Sequence, residues 1–359
     1  MKKVRYAVVG SGWISQIAFM PGMEQTGNSE MTAIVSGNPG NAGKLAKFYN
    51  IPHIYSYEQY DEMLRAGVVD AVYIALPNSM HADYAIRAAN AGVHALVEKP
   101  LAISVAECEA MIAAADKAGT YLMTAYRLHT EPGTLETYDM IYRGEIGDPR
   151  YFSSLFSFQS ALGNHRLLAR HWGGALQDIG VYCLNAARNV FRAEPIEAIA
   201  MKGHGDGDPR FAEVEEVITT SLRFPGDRLA HFTVSFGAED IDVYRVVGSK
   251  GEIEVNPGFR LDRQMRYRLM RGGKLVQEKC FPQYDHFSGQ SHYFSECILK
   301  GQRPEPDGGE GLNDVRALLA IEAAAKTGQP QKIASAPRPS HPTLNMARSF
   351  PWVEKRLML

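Results

Sequence analysis

Residues 10–15 read Gly10-Ser11-Gly12-Trp13-Ile14-Ser15 and stand directly behind the apolar run Tyr6 to Val9. Two glycines where a strand hands over to a helix allow a tight turn and a close approach of backbone to ligand. The free N–H groups and positive dipole end of the following helix suit a pyrophosphate. The pattern G-x-G-x-x-S departs from the dinucleotide fingerprint only at its last position, where Ser15 stands for Gly or Ala. A plain turn is the alternative. The strand before, the helix after and a parallel strand next favour the dinucleotide, with Gly10, Gly12, Trp13 and Ile14 at its phosphates.

The second strand ends Ile34-Val35-Ser36-Gly37-Asn38, without the carboxylate that bonds the ribose hydroxyls in NAD-selective proteins. Ser36 and Asn38 can donate hydrogen bonds to a phosphate, and Lys44 can supply charge. The absent carboxylate removes the repulsion a 2′-phosphate would meet, so NADP is expected, with NAD as the other choice. A bare Ser-Gly-Asn turn, with selectivity lying elsewhere, is the alternative for Ser36, Gly37 and Asn38. A third group is Glu98-Lys99-Pro100, after the strand-like run His94–Val97. A lysine there stands at the edge of the crevice where parallel sheets bind ligands. Pro100 restrains the local backbone and biases Lys99 toward an extended conformation. Alone, such a lysine is as readily a solvated surface group.

The elements that must position these groups follow from pattern. The 359 residues are too many for one ordinary core, so two domains are expected. A hydrophobic fraction of 45% with 22% charged residues is that of a soluble globular protein. A formal net charge of −2 gives no sign of a nucleic-acid or membrane partner. No signal peptide is read at the N-terminus, and the cytoplasm is the expected compartment. Cys108, Cys183, Cys280 and Cys297 are scattered without CxxC spacing, which argues for inert thiols and against a metal cluster or a disulfide framework.

About 125 residues alternate strand-like and helix-like segments, as in a parallel α/β sheet, with strands at Val4–Val9, Met31–Ser36, His53–Tyr55, Ala71–Leu76, His94–Val97 and Tyr121–Ala125. Ser104-Val105-Ala106-Glu107 is a capping-box pattern for a helix closed by Gly119, and Asn78 or Ser79 can cap the helix closed by Gly92. Pro21 should break any helix begun at Gly12. From about Arg150 the period becomes two. Val217–Phe224 and Leu229–Phe236 flank the turn Pro225-Gly226-Asp227, with further strands at Tyr244–Val247, Glu252–Val255 and Lys274–Lys279. Helical patterns cover Asp178–Phe191 and Leu312–Thr327.

Leu76-Pro77-Asn78 with His81, Glu98-Lys99-Pro100, and Gly173-Gly174-Ala175-Leu176-Gln177-Asp178-Ile179-Gly180-Val181-Tyr182 together resemble the Gfo/Idh/MocA oxidoreductases, and within them the glucose–fructose and related aldose oxidoreductases. The resemblance spans roughly residues 4 to 332 and takes in Val35-Ser36-Gly37-Asn38, Ala71-Val72-Tyr73-Ile74, Ala125-Tyr126-Arg127 and Glu310-Gly311-Leu312-Asn313-Asp314-Val315-Arg316. It implies a fold of class α/β plus α+β. Residues 1–127 would form a Rossmann parallel sheet. Residues 128–332 would form a mostly antiparallel open sheet with helices on one face, and 333–359 a tail or arm. It further implies that the nicotinamide lies where the two domains meet, and that Glu98-Lys99-Pro100 touches cofactor and sugar. Leu76, Pro77, Asn78, His81 and Arg127 would join the cofactor site.

Many members carry His at the end of the Asp-x-Gly-x-x motif; this chain has Tyr182, as the glucose–fructose subgroup does. Oxidising a sugar hydroxyl needs a base within hydrogen-bond reach of its proton. A tyrosine beside an ammonium suits, because the positive charge favours phenolate. Lys99 would be that ammonium and could polarise the substrate oxygen. Asp178 lies four residues before Tyr182, on the same face of a regular helix, where it would orient the sugar hydroxyls or the lysine. Arg166 and Trp172 would complete the sugar subsite, with His171 beside them.

The subgroup's leader segment and cofactor-holding N-terminal arm have no counterpart before the first strand, whereas a tail follows Lys332 that could cover a neighbouring subunit. A homo-dimer or homo-tetramer through the second-domain sheet is expected. The competing readings are a dinucleotide-binding regulator, which would not need Lys99, Asp178 and Tyr182, and a dihydrodiol- or inositol-type dehydrogenase using the same machinery with another pocket.

Overall fold

The computed structural model describes residues 2–359, and the chain divides into two compact units. The first comprises residues up to Glu131, Tyr284–Gly311 and Met346–Leu359; the second comprises Pro132–Gln283 and Leu312–Asn345.

The first unit is built on six parallel strands: β1 (Val4–Val9), β2 (Ser29–Val35), β3 (His53–Tyr55), β4 (Ala71–Ile74), β5 (His94–Val97) and β6 (Leu122–Thr124), in the order β3-β2-β1-β4-β5-β6. The apolar runs of β1, β4 and β5 are buried because helices cover both faces of such a sheet. The strand order reverses at β1, which places the ligand crevice at the carboxyl ends of β1 and β4. The connecting helices are α1 (Met20–Met23), α2 (Pro39–Tyr49), α3 (Tyr60–Arg65), α4 (His81–Asn90) and α5 (Val105–Ala118). Ser104 caps α5 by accepting from the Glu107 N–H at 3.2 Å, while the Glu107 carboxylate accepts from the Ile103 N–H at 3.1 Å. Gly119 ends the helix at φ +67°.

Two expected boundaries are corrected. Asn78 and Ser79 do not occupy the N-cap of α4; they lie in a 3-10 turn, Asn78–Met80, that precedes it. Pro21 does not break the first helix, which runs on to Met23. A π turn over Ser15–Phe19 precedes α1, and its i→i+5 bonding changes register just where proline lacks an N–H.

The second unit carries a nine-stranded sheet. Its strands are β7 (Pro149–Ser157), β8 (Glu197–Gly203), β9 (Val217–Phe224), β10 (Arg228–Ser235), β11 (Ile241–Gly248), β12 (Glu252–Val255), β13 (Arg266–Arg271), β14 (Lys274–Cys280) and β15 (Gln331–Lys332). The order is β14-β13-β12-β11-β7-β10-β9-β8-β15, antiparallel except for the pair β7 and β10. Gly226 and Asp227 take φ values of +76° and +54°, the left-handed pair a tight β9–β10 hairpin requires. One face is covered by helices α6 (Pro132–Tyr142) and α7 (Val181–Phe191); α9 (Gly308–Thr327) belongs to this unit from Leu312 onward. Helix α8 (His286–Lys300) belongs to the first unit, where Tyr6 and Ser29 each meet the Ser295 hydroxyl, at 2.8 and 2.7 Å. Among the described residues no helix is long and apolar enough to cross a membrane.

Candidate functional site

The two glycines of the turn after β1 have different physical reasons. Gly10 sits at φ +95°, and a Cβ there would lie 2.6 Å from the Ala75 carbonyl oxygen, so the fold itself demands glycine. A Cβ on Gly12 would meet nothing within 4 Å. Gly12 is therefore not required by packing and leaves an open cradle at a helix start, which fits a pyrophosphate drawn close to the backbone. Ser15, the departure from the fingerprint, is fully buried and donates its hydroxyl to the Gly10 carbonyl at 2.6 Å. A small side chain at that position thus also locks the turn. The expected result is that Gly12→Val lowers NADP affinity by roughly tenfold or more while the cofactor-free protein keeps its melting temperature. Gly10→Ala should lower that melting temperature; thermal melts and an NADP titration check both.

At the end of β2, the buried Ser36 hydroxyl lies 2.7 Å from that of Ser11, tying the second strand to the glycine turn. Asn38 caps α2, its Oδ1 accepting from the Asn41 N–H at 3.0 Å, and Lys44 is exposed on that helix. Gly37 passes close to Tyr57, 3.1 Å from where a Cβ would stand. Trp13 is 55% exposed at the start of the helix, beside Ile14.

The loops after β4 and β5 are joined by His81, which is fully buried. Its ring nitrogens lie 2.9 Å from the Leu76 and Pro100 carbonyl oxygens, and burial holds its pKa below the usual histidine range. As a neutral imidazole the ring donates to one of these two carbonyls, and His81 sits between the Leu76-Pro77-Asn78 and Glu98-Lys99-Pro100 loops. Glu98 accepts from the Tyr73 hydroxyl at 2.7 Å, and burial pushes its carboxyl up. Lys99 is half-buried directly after β5, and Arg127 is buried with its Nη1 2.8 Å from His286 Nδ1.

In the second unit the loop before α7 folds on itself. A Cβ on Gly173 would stand 2.3 Å from the Arg166 carbonyl oxygen, and one on Gly174, at φ +131°, 2.5 Å from Gln177 Oε1. Arg166 bonds Asp178 across this loop, Nε to Oδ2 at 3.0 Å, with both side chains mostly screened from solvent. Asp178 lies in a π turn, Leu176–Gly180, and Tyr182 is the second residue of α7. The wider π turn replaces the regular helix on which a four-residue spacing would stack the two side chains. Tyr182 is half-buried, its ring within 6.1 Å of Phe156 and 6.2 Å of Phe259.

Trp172 takes φ +51° and points its indole N–H at both oxygens of Glu322, each 3.0 Å away; the Gln177 amide also donates to Glu322. Burial pushes the Glu322 carboxyl up, and Glu215 nearby adds to the effect. Trp172 is thus anchored by its edge. His171 precedes it on a 3-10 turn. Glu322 was not foreseen. The available signal is a single carboxylate inside the apolar run Leu318-Leu319-Ala320-Ile321-Glu322-Ala323-Ala324. The structure thus gathers Gly10, Gly12, Ser15, Ser36 and Asn38 at one edge of the first unit. It joins Leu76, His81 and Pro100 there, and pairs Arg166 with Asp178 in the second.

Two family models match the chain. One, an oxidoreductase family with an NAD-binding Rossmann fold, covers residues 4–126, and a GFO/IDH/MocA C-terminal domain covers 134–254. The chain is 31% identical over 333 residues to a D-xylose 1-dehydrogenase (NADP(+)) of Haloarcula marismortui, an alignment covering 90% of this chain and 91% of the relative. The crystal structure of an aldose-aldose oxidoreductase from Caulobacter crescentus complexed with glycerol is 37% identical with a TM-score of 0.88, covering 92% of this chain and 100% of that one. A 3-ketoreductase from Actinomadura kijaniata in complex with NADP and TDP-benzene is 27% identical with a TM-score of 0.81, covering 90% of this chain and 98% of that one.

Proposed function

Because the chain belongs to the Gfo/Idh/MocA oxidoreductase family, we propose that it moves hydride between NADP and a carbon bearing a sugar hydroxyl, oxidising an aldose or reducing a keto-sugar. The observation that carries this reading is the phosphate edge of the first unit: Gly12 leaves an open cradle, and β2 closes on Ser36, not on a carboxylate. The sugar comes from the relatives, which include a xylose dehydrogenase and an aldose-aldose oxidoreductase.

The dinucleotide supplies the hydride acceptor or donor. The chain's own groups handle the proton. In the oxidation direction the hydroxyl proton passes to Tyr182 as phenolate, and Lys99 holds the oxygen whose bond to carbon becomes double. Asp178, steadied by Arg166, accepts hydrogen bonds from neighbouring sugar hydroxyls, and Trp172, fixed by Glu322, offers an aromatic surface to the ring. Gly12, Trp13 and Ile14 hold the pyrophosphate, on the turn whose backbone Gly10 makes possible. Ser36, Gly37, Asn38 and Lys44 hold the 2′-phosphate. Leu76, Pro77, Asn78, Glu98 and Arg127 complete the dinucleotide site.

Ser36→Asp places a carboxylate where the 2′-phosphate is read, so the NADP-over-NAD preference in kcat/KM should fall by roughly tenfold or more. An unchanged ratio would move selectivity elsewhere. The direct test of the function is to record nicotinamide absorbance in purified protein and then supply a panel of aldoses and ketoses. No absorbance change with any sugar and either nicotinamide would reject the reading.

The helix-free face of the nine-stranded sheet presents a row of directly opposed residues, Met201, Thr219, Thr233, Leu155 and Val243. Met201 is 73% and Leu155 42% exposed, and this apolar face is the proposed homo-oligomer surface. Sedimentation as a monomer at micromolar concentration would exclude it. The four cysteines are free thiols, in keeping with a reducing cytoplasm.

A further inference from the structure

We propose that Met346–Leu359 is a strap that holds the glycine turn in its dinucleotide-binding shape and slows release of the bound dinucleotide, with Gln16 as the positioning residue through which it acts. The inference rests on the reading that this turn binds NADP.

The strap is secured at several points of the first unit. Arg348 pairs with Glu296 at 2.6 Å, and the Phe350 carbonyl accepts from the Asp285 N–H at 2.9 Å. Pro351 bridges to Tyr284, and its carbonyl accepts from Gln25 Nε2 at 2.8 Å. Beyond these anchors it reaches the helix that follows the glycine turn. The Leu359 N–H donates to Gln16 Oε1 at 2.7 Å, and Gln16 Nε2 donates to the Ser11 carbonyl at 2.6 Å. One side chain, 4% exposed, therefore links the strap to the middle residue of Gly10-Ser11-Gly12. A buried amide with both ends engaged is rigid; without the strap its oxygen loses that partner.

A second contact has the same sense. The helix after the glycine turn passes from π to α bonding just before Pro21. Arg356 of the strap donates to the Ile17 carbonyl at 3.4 Å. The strap thus touches the π-to-α junction directly, on the helix that follows the glycine turn. It adds the positive charges of Lys355, 3.6 Å from Glu24, and Arg356 to that side of the unit. The Haloarcula and Caulobacter relatives align with 90% and 92% of this chain.

The test compares wild type, Gln16→Met, Arg356→Ala and a deletion of residues 352–359. The readouts are NADPH dissociation, followed by fluorescence during displacement with excess NADP, and melting of the cofactor-free protein. Gln16→Met and the deletion should each release NADPH about tenfold faster, and Arg356→Ala less so. Cofactor-free Gln16→Met gives up two hydrogen bonds and should melt somewhat lower, so the discriminating readout is the dissociation rate: a merely structural latch would lower melting without speeding NADPH release. Unchanged dissociation in Gln16→Met overturns the proposal, even if the deletion fails to fold. A wild type that binds neither NADPH nor NADP overturns the cofactor reading itself.

Discussion

Lys99→Met and Tyr182→Phe each lower kcat by roughly 10² to 10⁴, the range that a positioned proton-transfer group contributes. The substitutions spare every group proposed to hold the phosphates, so NADP titrations should give near wild-type affinity. Met keeps the length of the lysine stem and removes the ammonium; Phe keeps the ring that packs near Phe156 and Phe259 and removes the hydroxyl. If the two groups act on one oxygen, the double variant should be little worse than the poorer single one. Rates unaltered in both single variants would remove the assigned chemistry and leave a dinucleotide-binding protein. A loss multiplied in the double variant would mean that the two groups serve separate steps.

The second large effect concerns the helix that carries Tyr182. At its other end, Arg188 is 2% exposed and bonds Glu194 Oε2 and Asp314 Oδ1, each at 2.6 Å. Asn185 donates to the second oxygen of Asp314 at 3.0 Å. Asp314 belongs to Glu310-Gly311-Leu312-Asn313-Asp314-Val315-Arg316, so this motif serves to pin α7 to α9. Removing the guanidinium by Arg188→Met leaves two buried carboxylates uncompensated and should cost about 3–5 kcal/mol. For a unit of this size that is a fall of about 10 °C in melting temperature. Urea unfolding checks the value. A loss under about 1 kcal/mol would mean that water reaches the site and screens the carboxylates, as at a surface ion pair. Because the network also ties down the helix that carries Tyr182, surviving Arg188→Met enzyme should show a raised KM for sugar.

The glycine turn, the strand-end lysine and the alternation of the first 125 residues are local signals, and local physics suffices to read them. An apolar run buried on both faces and a helix closed by glycine each carry their reason within a few residues. Strands β7, β8, β13 and β15 and helices α6 and α8 are absent from the sequence reading, because their patterns are completed by distant partners. Ser154 in β7 is buried, its hydroxyl bonded to the Val243 carbonyl at 3.0 Å and 3.3 Å from Cys183 Sγ; by itself it reads as a solvent-facing position. Helix α8 carries Ser288 and Ser295 inward, where their hydroxyls meet the Gly22 carbonyl and the Tyr6 hydroxyl, partners more than 260 residues away in the chain. The parallel pairing of β7 with β10 likewise depends on a connection of some seventy residues that no periodicity announces.

At the site the same division holds. Residue types alone pointed to a place for a nucleotide phosphate, without a carboxylate to reject a 2′-phosphate, and to a strand-end lysine as the group for the chemistry. Tertiary structure decided which glycine serves the fold and which stays open to a ligand, a distinction made by the Ala75 carbonyl, sixty-five residues from Gly10. It also decided that His81 sits between two loops, that Arg166 belongs to Asp178, that Glu322 fixes Trp172, and that residues 346–359 return to Gln16. These are contacts between groups far apart in the chain. A side chain's chemistry is written in the sequence, but its partner is chosen by burial, which exists only once the chain has folded.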